Sequence, residues 1–221
     1  MKIKAVIFDF DGTLTKNEKE AGTWYLVWDA YNDTETEKRY FDIFLDKKIT
    51  TEEWFVLINA RFKKLGVTKE VLKTASKIKM IDGIKETFDS LSSNKIKIII
   101  LTSGIINMVE AALKPETDCI TQICGGITLD FDNDGKFLKF IMPETDSERK
   151  IEGINKIIKQ FKLLPEEIVF VGNDYNDETV KQSGVETWCI NPNNTDITNK
   201  EFWDYGIAEC KNLQEILLFI K

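Results

Sequence analysis

Histidine is absent from this 221-residue sequence. That gap excludes Ser-His and Cys-His nucleophile activation and every imidazole metal site. Metal chemistry is left to the hard oxygens of Asp, Glu and Asn, which suit magnesium better than zinc. Cysteine is scarce, and Cys119, Cys124, Cys189 and Cys210 show no Cys-x-x-Cys spacing. They read as reduced, mostly buried small hydrophobes, in keeping with a cytoplasmic location. Nowhere do 18 apolar residues run together, and the apolar stretch after Met1-Lys2-Ile3-Lys4 is far too short for a signal peptide, so no membrane partner is expected. Positive charge is also in deficit: 30 Lys and Arg against 37 Asp and Glu leave a net charge of -7, which argues against nucleic acid as a partner. Four prolines are too few for an extended linker, and no internal repeat or low-complexity segment is present.

What is present is a chain that is 43% hydrophobic, long enough for one core of ordinary size and a smaller appended one. Apolar runs at residues 4–10, 96–102 and 168–172 predict buried parallel strands. Helical patterns at 83–91, 105–113 and 149–161 alternate with them, and a last strand at 186–190 and helix at 213–220 follow. The expectation is an α/β fold, a Rossmann-like open parallel sheet core over residues 1–15 and 80–221. Residues 16–79 lack strand alternation and read as a mainly helical cap domain inserted after the first strand. That segment holds 10 of the 24 aromatic residues. Large side chains could be building the core of a small bundle there, or forming an aromatic cage for a substrate. Residues 127–142 alternate around Asp132-Asn133-Asp134-Gly135, a hairpin signature. The start of a calcium loop can be read in the same residues, but its closing bidentate Glu would fall at Ile141.

The chemistry concentrates where the strands end. Asp9-Phe10-Asp11-Gly12-Thr13 leaves the first strand with two carboxylates on the same side, and Gly12 lets the chain turn. At ~4 Å and an effective dielectric of ~20 their repulsion is about 4 kcal/mol, which a cation or a shared proton must answer. After the second strand, Thr102-Ser103-Gly104 sets a hydroxyl and free amides at a helix start, suited either to an anion or to simple capping. Lys150 opens the helix before the third strand. After that strand, Gly172-Asn173-Asp174-Tyr175-Asn176-Asp177 holds more oxygens than one cap needs, suggesting a metal-facing loop. A phosphorylated ligand in so acidic a protein would need a metal and one or two placed cations.

These four segments, in this order, resemble the haloacid dehalogenase superfamily over nearly the whole chain. The resemblance implies that Asp9 is a nucleophile and Asp11 a general acid and base, that Thr102, Ser103, Gly104 and Lys150 bind phosphate, and that Mg2+ is held near Asp9, Asp11, Asn173, Asp174 and Asp177. An acid-base Asp11 suits phosphoryl transfer, where an alkoxide must be protonated. The sequence is also similar to the phosphoserine phosphatase family, in which an acid at the position of Glu18 and an arginine at that of Arg61 would meet an amino acid's charges. Each could equally be a solvated charge on the insert. The family reading implies a magnesium-dependent phosphomonoesterase of a small phosphorylated metabolite, phosphoserine being the first substrate to try, acting as a monomer or homodimer. A sugar-phosphate phosphatase, a phosphomutase and a weakly catalytic binding protein are the rivals. This chain departs from the family at Asn173, where many relatives carry Asp, and at Ser103, where a glycine is expected.

Overall fold

The computed structural model describes residues 2–16, 22–142 and 150–220. Six parallel strands form one sheet: β1 (Ala5–Phe8), β2 (Lys97–Leu101), β3 (Gln122–Cys124), β6 (Ile168–Asp174), β7 (Glu186–Asn193) and β8 (Tyr205–Ile207), in the order β3-β2-β1-β6-β7-β8. β1 pairs with β2 through Val6 and Ile98 and with β6 through Val6 and Val169. It lies centrally and all four of its residues are buried.

Strand alternation divides the core in two. Val6, Phe8, Ile98, Ile100, Val169 and Val171 belong to one cluster, and Ala5, Ile7, Ile99, Leu101 and Phe170 to the other. Helices α4 (Ile84–Ser93) and α5 (Ile106–Ala112) contribute Phe88, Leu91, Met108 and Val109 to the first. Helix α6 (Lys150–Phe161) covers the second with Ile154 and Ile157. Burial on both faces is why these strands read as unbroken apolar runs.

Between β1 and α4 the described chain forms three helices, α1 (Thr23–Asp29), α2 (Thr34–Leu45) and α3 (Thr51–Leu65), and a 3-10 segment (Lys69–Lys77). α3 is bounded by chemistry visible in the sequence. Thr50 accepts from the Glu53 amide at 3.2 Å while the Glu53 carboxylate accepts from the Thr50 amide at 2.8 Å, and Gly66 ends the helix at φ +66°. The expected hairpin is present as β4 (Thr128–Phe131) and β5 (Phe137–Ile141). Its turn is held by Asp132, whose side chain accepts from the amides of Asp134 and Lys136. The hairpin docks on the helical insert: Phe137 N donates to Val67 O at 2.9 Å, and the ring of Phe62 lies 5.5 Å from Phe137 and 5.4 Å from Phe140.

Three expectations need correction. The C-terminal helix is a 3-10 segment (Leu213–Leu218), the segment after β6 is likewise 3-10 (Tyr175–Ser183), and the short strands β3 and β8 were not anticipated. Both strands have only three residues, too few to show alternation, and both sit at sheet edges where pairing rather than burial defines them. No helix among the described residues is long and apolar enough to cross a membrane.

Candidate active site

The connection from β1 leads to β2 on one side while β6 lies on the other, so the strand order reverses beside β1. Such a switch point opens a crevice beyond the carboxyl ends of the strands. Asp9 stands there. Its amide donates to the Val171 carbonyl at 2.9 Å, extending the ladder toward β6, and the residue is 6% exposed. Lys150, in the first turn of α6, reaches the same point and is 3% exposed. Its ammonium donates to Oδ1 of Asp9 and, at 2.6 Å, to Oδ1 of Asp177. Asp177 Oδ2 accepts from the amides of Asn173 at 2.9 Å and Asp174 at 3.2 Å. A fully buried aspartate thus fixes both the lysine and the turn after β6.

The electrostatics follow from this packing. Burial by itself would discharge Lys150, but Asp177 and Asp9 outweigh it and hold the ammonium above its ordinary range. Burial pushes the Asp9 carboxyl up to about 7, with Lys150 opposing and Asp177 and Asp11 adding to the rise. The two shifts point opposite ways for the ion pair. The charged lysine is the side secured by geometry, since it has two carboxylate partners and Asp9 must share it. Two acids for one lysine leave excess negative charge around Asp9.

Asp11 faces the other way. Its Oδ1 accepts from the Thr23 amide at 3.0 Å and its Oδ2 from the Thr23 hydroxyl at 2.9 Å, so the first residue of α1 holds it. The same hydroxyl accepts from the Ile105 amide at 3.2 Å. This crowding requires Gly104: a Cβ there would lie 2.4 Å from Thr23 Oγ1 and 2.7 Å from Asp11 Oδ2. Gly12 is required for a different reason, at φ +83° with an added Cβ only 2.4 Å from Asn173 Nδ2. Burial raises the Asp11 carboxyl, and the two Thr23 bonds pull it part of the way back. A carboxyl raised in this way is better suited to giving and taking a proton than one in water.

At the end of β2, Thr102 is 1% exposed and accepts from the Gly104 amide at 2.9 Å. Thr102, Ser103 and Gly104 line one cavity of about 900 Å³ together with Asp9, Asp11, Asn173 and Asp174. The structure therefore brings together the four segments that the sequence spreads over residues 9–177.

The donors near Asp9 fit a small hard cation. One hydroxyl, Thr13 Oγ1, reaches both Asp9 Oδ2 at 3.4 Å and Asn173 Oδ1 at 3.1 Å, so a carboxylate oxygen and an amide oxygen converge in a region of excess negative charge. Among the described residues no three His, Cys, Asp or Glu side chains gather around one point. The reason is visible: Asn173 offers an amide and not an acid, Asp177 is engaged by Lys150, and the Asp174 carboxylate accepts from the Tyr175 amide at 2.7 Å and Asn193 Nδ2 at 2.6 Å. A set of oxygens this sparse matches magnesium, which keeps several of its own waters.

Arg61 does not join the site. Its Nε and Nη2 donate to Asp33 at 2.6 and 2.7 Å in a bidentate fork, and the residue is not among those lining the cavity. The pairing with Asp33 holds that carboxyl below its usual range, so the arginine is answered inside the insert. No local pattern links residues 28 apart, and the pair was invisible in sequence. Glu18 lies outside the described residues. Thr23 and Thr13 were also missed. Thr13 was legible as part of the Asp-x-Asp-Gly-Thr string, while Thr23 carries no signal until α1 folds over Asp11.

Fold and site define an enzyme-like α/β protein with a buried aspartate and lysine at the switch point of a parallel sheet, and its likeness to known proteins places it among the phosphatase hydrolases. Residues 3–179 match the haloacid dehalogenase-like hydrolase family, and the chain belongs to it. It is 28% identical over 229 residues to a phosphoserine phosphatase of Methanocaldococcus jannaschii, covering 100% of this chain and 99% of that protein. A phosphoserine phosphatase solved as a phospho-aspartyl intermediate analogue superposes with a TM-score of 0.73 at 22% identity, with both chains covered fully. A haloacid dehalogenase family hydrolase from Salmonella enterica serovar Typhi gives 0.79 at 14% identity, covering 100% of this chain and 72% of that one.

Proposed function

We propose that this chain is a magnesium-dependent phosphomonoesterase of a small phosphorylated metabolite that works through an aspartyl phosphate on Asp9. The observation that carries the reading is Asp9 itself, buried at the switch point and bonded to Lys150. An Asp9 carboxylate oxygen bonds to phosphorus as the ester P–O bond breaks, and Asp11 gives its proton to the departing alkoxide. Asp11 then takes a proton from water, whose oxygen attacks the acyl phosphate and releases inorganic phosphate and free Asp9. Lys150 neutralises phosphoryl oxygens, Thr102 and the Ser103 and Gly104 amides orient them, and Asp177 positions Lys150. Asp9, Asn173 and the Asp11 backbone carbonyl would hold magnesium, with Asp174 and Asp177 ordering its surroundings. The ion supplies further neutralisation of phosphoryl charge.

Residues 16–79 act as a cap over a core of residues 1–15 and 80–221. The neck supports this division, because Thr15 bridges Met80 and Lys16 N donates to Lys79 O at 2.8 Å, so the insert leaves and returns at one point. The chain works as a monomer or homodimer, and its setting is the cytoplasm, a reducing compartment with which four free thiols agree. Asn173 favours one rival, a weakly catalytic binding protein, since an amide brings no charge to the cation.

Phosphate release from an aryl phosphate, with and without magnesium, tests the reading. Turnover should require magnesium and fall by roughly three orders of magnitude or more in Asp9→Asn. Equal release without the metal, or in the variant, would remove it.

A further inference from the structure

The aromatic part of the cavity wall, which begins at Trp24 where its Nε1 donates to the Ser103 carbonyl at 3.4 Å, is built for a different chemistry. Trp24, Phe44, Trp54 and Phe55 line it, with ring centroids 5.7 Å apart for Trp24 and Trp54, 5.2 Å for Phe44 and Trp54, and 4.9 Å for Trp54 and Phe55. These are not all core residues of the insert. That core uses Trp28 and Phe62, which are 1% and 0% exposed, whereas Trp24, Phe44 and Trp54 are only partly buried. α2 buries no residue fully: its Phe44 stacks on Trp54 of α3, and both rings also line the cavity. Trp54 Nε1 is buried with no hydrogen-bond partner among the described residues.

Two acids accompany these rings in the lining, the exposed Glu52 on α3 and the half-buried Glu37 on α2. Burial alone pushes the Glu37 carboxyl up to about 7, and no hydrogen bond or cation among the described residues offsets that rise. A partly desolvated carboxylate among aromatic rings has the two features that attract an alkylated ammonium: a counter-charge and π faces. The same wall is poor for a carboxylate. Lys47, exposed, is the one cationic residue among the described lining residues, and Arg61 is committed to Asp33.

Resting on the phosphatase reading above, we propose that the substrate is a phosphomonoester of an alcohol bearing an alkylated ammonium, of the phosphocholine type, with its cation against Trp24, Trp54 and Phe44 beside Glu37. Asp9 displaces the amino alcohol from phosphorus while Asp11 gives the departing alkoxide its proton, water then releases inorganic phosphate from Asp9, and the ammonium end takes no part in bond making.

Turnover of an aryl phosphate with magnesium comes first, because failure there refutes the phosphatase reading and not the pocket. Given activity, kcat/KM is compared for phosphocholine, for 3,3-dimethylbutyl phosphate, which has the same shape without charge, and for phosphoserine. Phosphocholine should lead each by tenfold or more, and Glu37→Gln should bring its ratio to the uncharged isostere toward one. The unaltered protein gives a second reading. Choline should quench or shift tryptophan fluorescence at concentrations where 3,3-dimethylbutanol does not. Equal kcat/KM for the isostere or for phosphoserine, an unchanged ratio in Glu37→Gln, or equal fluorescence responses would overturn the proposal.

Discussion

Lys150 shows how much a single residue's meaning depends on its surroundings. At the start of a helix, a lysine is ordinarily a solvated charge. Here it lies between two buried carboxylates, and removing it would strand both Asp9 and Asp177. Lys150→Met is expected to cost roughly 3–5 kcal/mol of stability, read by urea unfolding, because the uncompensated acids remain in a dry site. A loss below about 1 kcal/mol would mean that the pair is solvated in solution. Asp9, Asp11 and Lys150 were all named from sequence, but the partner that defines Lys150, Asp177, was assigned to the metal's surroundings. Its bonds to the Asn173 and Asp174 amides show that its first duty is to the protein itself.

Elements were legible where their burial was two-sided or a turn signature marked them. β1, β2 and β6 announced themselves as apolar runs and the hairpin by Asp132 to Gly135, whereas the Thr50 and Glu53 box and the Gly66 stop that bound α3 went unread. The tight 3-10 segments after β6 and near the C-terminus were not legible, since helical periodicity looks the same for a few residues in either geometry. Docking of the hairpin against the insert was also unforeseen, although it joins segments on either side of β2. Phe62 is the hinge of that contact, fully buried and 4.8 Å from Trp28 as well as near Phe137 and Phe140. Phe62→Ala should cost about 3–5 kcal/mol by denaturant unfolding. A loss under about 1 kcal/mol would show that insert and hairpin do not share a core.

At the scale of the whole molecule, acidity is the governing property, and burial turns it into a pH dependence. Glu37 has its carboxyl raised from 4.5 to about 7 in the folded chain. Below pH 4.5 it is protonated whether folded or not. As pH climbs toward 7 the unfolded chain releases that proton while the folded one keeps it, so this stabilising contribution is progressively lost. Glu37→Gln should therefore gain on the parent protein at pH 8 relative to pH 5. The gain should be about 1 kcal/mol once solvent screening of a partly exposed group is allowed for. Urea unfolding at the two pH values reads the difference, and an equal gain at both would contradict the burial of this carboxylate.

Sequence by itself determined the alternation of strands and helices, the helical insert and the four segments that carry polar chemistry. Each of these is a local pattern, fixed by periodicity or by a short string such as Asp9 to Thr13. Only the tertiary structure decided which charges answer one another. Arg61 closed on Asp33, Thr23 on Asp11 and Lys150 on Asp177, while Glu37 was left facing a cavity with no ion-pair partner among the described residues. Pairings across 12 to 28 residues arise from desolvation and proximity in the folded chain, and neither exists until the helices have packed.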